Sequence, residues 1–252
     1  FEGKNVGNHC DKGADLLQKR PMLAHLEDYV MYHHTPWTEL LGLDLSEAVK
    51  FGANCIYMAD RVDILVLNGL ESDPNILGSR EQIRRKIKAK AGRWFHYDLV
   101  DIFLQISAPE SFWLSMEQEQ NLGYASSLIQ HHSAQEIDFQ ELKEIILIFS
   151  QIVDAKSTFT TQHSDGVANL SRTLGELFKL SEHQCDKLEL TGLLHDLGKL
   201  RVPDEILDKP GKLTQSEYFI VQRHSFDSYD ILKNITGFED IAKWAAQHHE
   251  RI

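Results

Sequence analysis

The chain is poor in cysteine and has no long apolar run. Cys10, Cys55 and Cys185 lie far apart and in no Cys-x-x-Cys pair. An odd, scattered set argues against a disulfide framework. It reads as reduced thiols filling core space, the usual state in a cytoplasm. The densest apolar stretch, Ile145 to Phe149, is five residues long. A bilayer span needs roughly 20, so no membrane span is expected, and no signal peptide pattern is visible. Basic residues are also short: 26 Lys and Arg stand against 38 Asp and Glu, for a net charge of −12. That deficit argues against duplex nucleic acid as a partner, since duplex binding needs a broad basic surface. It leaves phosphate esters open, because bound metal ions can supply the local positive charge. The first residue is Phe1 rather than Met, which suggests a fragment of a longer protein.

What is present is a helical pattern. At 252 residues, 42% apolar and 25% charged, the chain has enough material for one or two domains with real cores. Apolar residues recur at three- and four-residue steps and turn dipeptides are few, so the expected fold is all-α. Leu188 to Leu200 reads as one helix, followed by a loop at Pro203 and Pro210-Gly211. Thr214 or Ser216 would cap the next helix, the one carrying His224. Gly69 to Gly78, with Pro74, reads as a polar loop. Glu81 to Lys90 reads as a charged helix with a solvated face. The expected architecture is two helical domains joined by a helical connector, with boundaries at 1–112, 113–140 and 141–252.

The histidines stand out. His163, the pair His195-Asp196, His224 and the pair His248-His249 occupy separate helices. The N-terminal half echoes part of this set. His9 precedes His33-His34 by 24 positions (33 − 9), as His224 precedes His248-His249 (248 − 224). One offset of 215 also aligns Leu26 with Ile241, Tyr29 with Trp244 and Val30 with Ala245. Two related domains would produce this coincidence. Ile241, Trp244, Ala245 and His248 follow the i, i+3, i+4, i+7 stripe, which places His248 on the inner face of its helix. His25, His96 and His183 read as ordinary surface or core histidines, and the pair His131-His132 has no matching partner.

Five imidazoles and a carboxylate on buried faces would be costly without a use. Divalent first-row metals satisfy such ligands together. Asp196 has two oxygens with which to bridge two ions. Lys199, four after His195, returns to nearly the same helix face, where an ammonium would hold a phosphate oxygen.

These residues carry a resemblance. The stretch LLHDLGKLRVPDEILDKPGKLTQSEYFIVQRHSFDSYDIL, followed by AAQHHERI, resembles the HD-GYP family of the HD metal-dependent phosphohydrolase superfamily over residues 163 to 252. That family is all-helical and hydrolyses cyclic dinucleotides, chiefly cyclic di-GMP, in bacterial signalling. The resemblance implies His163, His195, Asp196, His224, His248 and His249 as metal ligands, with Asp196 and Lys199 as the catalytic groups. It implies two divalent ions, iron or manganese, that activate water for attack at phosphorus. A third ion would require a carboxylate four residues before His163, and Phe159 stands there. The family's Gly-Tyr-Pro motif and final Asp ligand would lie beyond Ile252.

The first half resembles the same family from His9 through Asp60 to Gly92-Arg93-Trp94-Phe95. Thr35-Pro36-Trp37 follows its His pair, so it resembles a copy degenerate on the substrate side. His9, His33, His34 and Asp60 are its candidate metal ligands. The substrate reading stays open between cyclic di-GMP and 3′,3′-cyclic GMP-AMP. A noncatalytic metal or di-iron sensor, an interaction scaffold of HDOD type, and another HD-type nucleotide phosphohydrolase remain the rivals. A homodimer or an upstream sensory module is compatible with each.

Overall fold

The computed structural model describes residues 6–72, 75–116, 137–156 and 163–251. The described residues are helical, with one isolated bridge between Ala91 and Phe95 and no strand. None of their helices is long and apolar enough to cross a membrane. The chain divides into two compact units, 1–135 and 136–252. Most of the expected connector, 117–136, lies outside the described residues, as do His131, His132 and Phe159.

In the first unit, α1 (Val6–Gln18) and the short α2 (Glu27–Met31) pack together ahead of α3 (Trp37–Leu40) and the long α4 (Glu47–Ser72). α5 (Ile76–Lys88), α6 (Tyr97–Ile106) and α7 (Glu110–Leu114) complete it. Its core joins Val62 and Val66 of α4 to Ile83 and Ile87 of α5, Phe103 of α6 and Trp113 of α7. Burying each such side chain contributes roughly 1.5–3 kcal/mol. Asn54, fully buried, accepts from the His96 amide and donates to the Trp94 carbonyl, each at 2.8 Å, and so ties the loop after α5 to α4.

The polar loop expected at Gly69 to Gly78 is much shorter. α4 runs to Ser72, and Asn75 caps α5 by accepting from the Leu77 amide at 3.0 Å. Gly69 sits inside α4, where a Cβ would lie 2.7 Å from the Ser79 hydroxyl. That glycine permits close helix packing and does not mark a turn. The charged segment after Glu81 is helical as expected, and Arg84 spans to the Leu104 carbonyl and the Ser107 hydroxyl.

The second unit contains α8 (Phe139–Lys156), α9 (His163–Leu177) and α10 (Glu182–Leu194). After a 3-10 turn (Leu197–Arg201) and α11 (Asp204–Leu207) come α12 (Gln215–Gln222), α13 (His224–Leu232) and α14 (Glu239–Gln247). α10 is the central helix, buried on every side from Glu189 to Leu194. Its charged member Glu189 is met by Lys143 at 2.5 Å and Arg172 at 3.0 Å. Ser181 and Gln184 form a capping box at its start, and Cys185 is buried core. Thr214 and Glu217 form a second box at α12, so Thr214 rather than Ser216 is the cap.

The helix expected from Leu188 to Leu200 ends at Leu194. Gly198 must approach the His224 backbone, where a Cβ would lie 2.0 Å from the carbonyl oxygen. The chain therefore leaves the helix axis at His195-Asp196.

Candidate metal centre

Three helix ends carry the inner imidazoles, and each ring is braced in the same way. His195, the C-cap of α10, donates from Nδ1 to the Gly192 carbonyl at 2.8 Å. His224 opens α13 and donates to the Val221 carbonyl at 2.5 Å. His248, the C-cap of α14, donates to the Ala245 carbonyl at 2.6 Å. In every case the acceptor lies three residues back. A proton committed to Nδ1 leaves Nε2 as a bare lone pair, which is how metal-ligating histidines are oriented.

Those lone pairs converge on one buried carboxylate. His195 Nε2 lies 3.2 Å from Asp196 Oδ2. His224 and His248 Nε2 lie 3.3 Å and 3.9 Å from Asp196 Oδ1, and 3.2 Å from each other. The outer histidines complete two sets. His163, His195 and Asp196 form one group with donor atoms within 4.8 Å of one another, and His224, His248 and His249 form another. Asp196 turns one oxygen to each side. All six residues anticipated as ligands are thus brought together, with His163 and His249 on the exposed rim.

Lys199 sits on the 3-10 turn and not one helical turn beyond His195. Its Nζ reaches Asp196 Oδ2 at 2.6 Å.

The electrostatics favour an ionised Asp196 and neutral His224 and His248. Burial pushes the Asp196 carboxyl up, but His195 and Lys199 outweigh it and hold it well below the usual carboxylate range. Burial lowers His224, and it brings His248 down to about 4. Burial lowers His195 as well, yet the Asp196 carboxylate leaves it raised on balance. An ionised carboxylate facing the neutral rings of His224 and His248 is the state that metals bind. Imidazole nitrogen and carboxylate oxygen suit divalent first-row metals, so the residues present fit such ions.

Two supports escaped the sequence. Ser228, wholly buried, donates to the His195 carbonyl at 2.8 Å and accepts from the Gly198 amide at 2.8 Å. It stands one helical turn after His224, the only sequence signal it offered. Asp154 of α8 accepts from the Ser164 hydroxyl at 2.7 Å and fixes the start of α9 next to His163. Beside His249 opens a cleft of about 900 Å³, lined by Phe226, Tyr229, Lys243 and Arg251 among others.

The first unit repeats the arrangement of the outer set. His9 and His33 have Nε2 atoms 3.2 Å apart, as do His224 and His248. The rings of His33 and His34 are 4.1 Å apart and tilted by 42°, against 4.0 Å and 43° for His248 and His249. His33 donates to the Val30 carbonyl, as His248 does to Ala245. Cys10 joins these histidines in one candidate ligand group. Asp60 lies outside the group, beside the Nδ1 of His34 at 3.8 Å and hydrogen-bonded to Arg61.

The chain is similar to known proteins. The chain is 39% identical over 251 residues to 3'3'-cGAMP-specific phosphodiesterase 1 of Vibrio cholerae, covering 98% of this chain and 58% of that protein. A cyclic di-GMP phosphodiesterase of Thermotoga maritima is 33% identical over 112 residues, covering 44% of this chain and 30% of that protein. The crystal structure of the Vibrio cholerae cyclic GMP-AMP specific phosphodiesterase V-cGAP3 is similar with a TM-score of 0.63 and 26% identity, over 98% of this chain and 59% of that one. The chain thus spans little more than half the length of the relatives it matches from end to end. Residues 148–252 match the HD domain family.

Proposed function

We propose that the second unit is the metal-dependent hydrolytic centre of a cyclic-dinucleotide phosphodiesterase, with 3′,3′-cyclic GMP-AMP as the substrate. The placement of Asp196 carries this reading: one buried carboxylate turns an oxygen to each of two imidazole sets. His163, His195 and Asp196 would hold one ion, and His224, His248 and His249 the other, with iron or manganese suited to both. Bound ions of this kind supply Lewis acidity toward water and toward a phosphate oxygen. In the overall hydrolysis a water oxygen joins phosphorus, one ester P–O bond breaks, and the departing sugar oxygen takes a proton. Lys199, 2.6 Å from Asp196, is placed to donate to a phosphoryl oxygen as negative charge gathers there. Lys243 and Arg251 give the neighbouring cleft positive charge for a second phosphate, and Phe226 and Tyr229 give it apolar surface for a base.

The choice of substrate rests on coverage. Two relatives named for cyclic GMP-AMP align with 98% of the chain and a third with 46%, while the Thermotoga cyclic di-GMP enzyme aligns with 44%. The repeated histidine geometry supports a tandem origin, with a copy degenerate on its substrate side at 1–112, a connector across 113–140 and the hydrolytic domain from 141 onward.

The test is to replace His195 and Asp196 together by alanine and to assay both cyclic dinucleotides with manganese or ferrous iron. Loss of turnover is expected, and undiminished turnover would refute the assignment. Faster opening of cyclic di-GMP by the unaltered protein would overturn the substrate choice alone.

A further inference from the structure

We infer that His9, Cys10, His33 and His34 form a four-ligand site for one thiophilic divalent ion of the zinc class, separate from the hydrolytic centre. The hydrolytic reading leaves this cluster unused, and its chemistry differs from that of the second unit. By the offset of 215, Cys10 occupies the place of Ser225, so the first unit sets a thiol where the second has a hydroxyl.

The geometry is close to tetrahedral requirements. Zinc–nitrogen and zinc–sulfur bond lengths put ligand nitrogens about 3.3 Å apart, and nitrogen and sulfur about 3.6 Å apart. His9 Nε2 lies 3.2 Å from His33 Nε2 and 3.0 Å from His34 Nε2. Cys10 Sγ lies 3.8 Å from His9 Nε2 and 3.7 Å from the Nδ1 side of the His33 ring, and one ligand atom from each of the four residues falls within 4.8 Å of the others.

The tautomers point the same way. His33 commits its Nδ1 proton to the Val30 carbonyl at 2.5 Å. His34 turns Nδ1 toward the Asp60 carboxylate at 3.8 Å. Both therefore aim Nε2 lone pairs at His9, whose ring has only one Nε2 hydrogen to offer. A single cation satisfies all three rings at once. Asp60, held by Arg61, then orients His34 from behind and is not itself a ligand. Thiolate beside imidazole selects softer ions than the carboxylate-bridged set in the second unit. With all four positions filled by protein, such a site is structural and pins α1 to the end of α2.

Cobalt(II) tests this, because cobalt–thiolate bonds give a near-ultraviolet charge-transfer band that imidazole and carboxylate ligands do not. The chain carrying His195→Ala and Asp196→Ala is titrated with cobalt(II) under reducing conditions, so the readout is independent of phosphodiesterase activity. One equivalent should develop the band, and Cys10→Ser should abolish it. A Cys55→Ser, Cys185→Ala variant, in which Cys10 is the sole cysteine, should keep it. Absence of the band from both the parent chain and the sole-cysteine variant overturns the site, as does its survival in Cys10→Ser.

Discussion

The Ser228 hydroxyl donates to the His195 carbonyl at 2.8 Å across 33 positions of sequence, and it accepts from the Gly198 amide at the same distance. One buried side chain thus closes the turn that presents Asp196. Ser228→Ala removes a partner from two buried backbone groups, which costs roughly 1–3 kcal/mol. A support of this kind typically changes metal affinity about 10- to 100-fold. Denaturant unfolding and manganese titration should show both effects together. Unchanged affinity in a destabilised protein would reduce Ser228 to a packing role.

Two glycines on the paired helices α9 and α10 should respond in opposite directions. A Cβ on Gly192 would lie 2.5 Å from the Ala168 Cα and 2.7 Å from its nitrogen, both backbone atoms that no rotamer can move. Gly192→Ala must spread the helices that frame His163 and His195, at about 1–3 kcal/mol. Gly166 has nothing within 4 Å of its Cβ position and lies inside α9. Gly166→Ala should stabilise by roughly 0.5–1 kcal/mol. Thermal unfolding of the two variants decides the matter, and equal signs would contradict the helix packing.

These contacts mark where the sequence stopped being readable. The stripe Ile241, Trp244, Ala245, His248 reports burial through local periodicity, and the structure keeps His248 inward with its Nδ1 on the Ala245 carbonyl. Local chemistry likewise narrowed the cap to Thr214 or Ser216; Thr214 takes the role, although the helix it caps ends at Gln222, before His224. The helix break after Leu194 was not legible, because it depends on Gly198 meeting His224, 26 residues away (224 − 198). Cys10 read as core filling for a similar reason. It is indeed buried, but the His33 ring beside it comes from the turn after α2, 23 residues away. Gly69 misled in the opposite direction, since a glycine used for close packing has the same letter as one used for a turn.

Lys199 separates binding from turnover. Its ammonium lies on Asp196 Oδ2 at 2.6 Å, yet a protonated amine has no lone pair with which to bind a metal. Lys199→Met should leave metal content near that of the unaltered protein. It should lower kcat by about 10²- to 10³-fold, the usual cost of removing one charge-stabilising donor. Elemental analysis alongside steady-state kinetics distinguishes the roles. Parallel loss of metal and activity would make Lys199 a positioning residue for Asp196.

Glu217 gives a pH-dependent contribution away from the metal centre. Lys209, the Thr214 amide and the Thr214 hydroxyl together pull its carboxyl from an ordinary value of 4.5 down to about 2. The Lys209 contacts are 2.6 Å and 2.7 Å, and the amide contact is 2.7 Å. A carboxyl depressed in the folded state binds its proton more readily when unfolded. Its stabilisation is therefore complete above about pH 4.5 and fades as the pH falls toward about 2. Glu217→Gln keeps the shape and most of the cap but loses the charge facing Lys209. Its melting temperature should lie below that of the unaltered chain at neutral pH, and the gap should close between pH 4.5 and 2. High salt should narrow the gap at neutral pH, because the pair is near the surface. A gap that stays constant from pH 7 to pH 2 would mean that the ionised form of Glu217 contributes nothing to the fold.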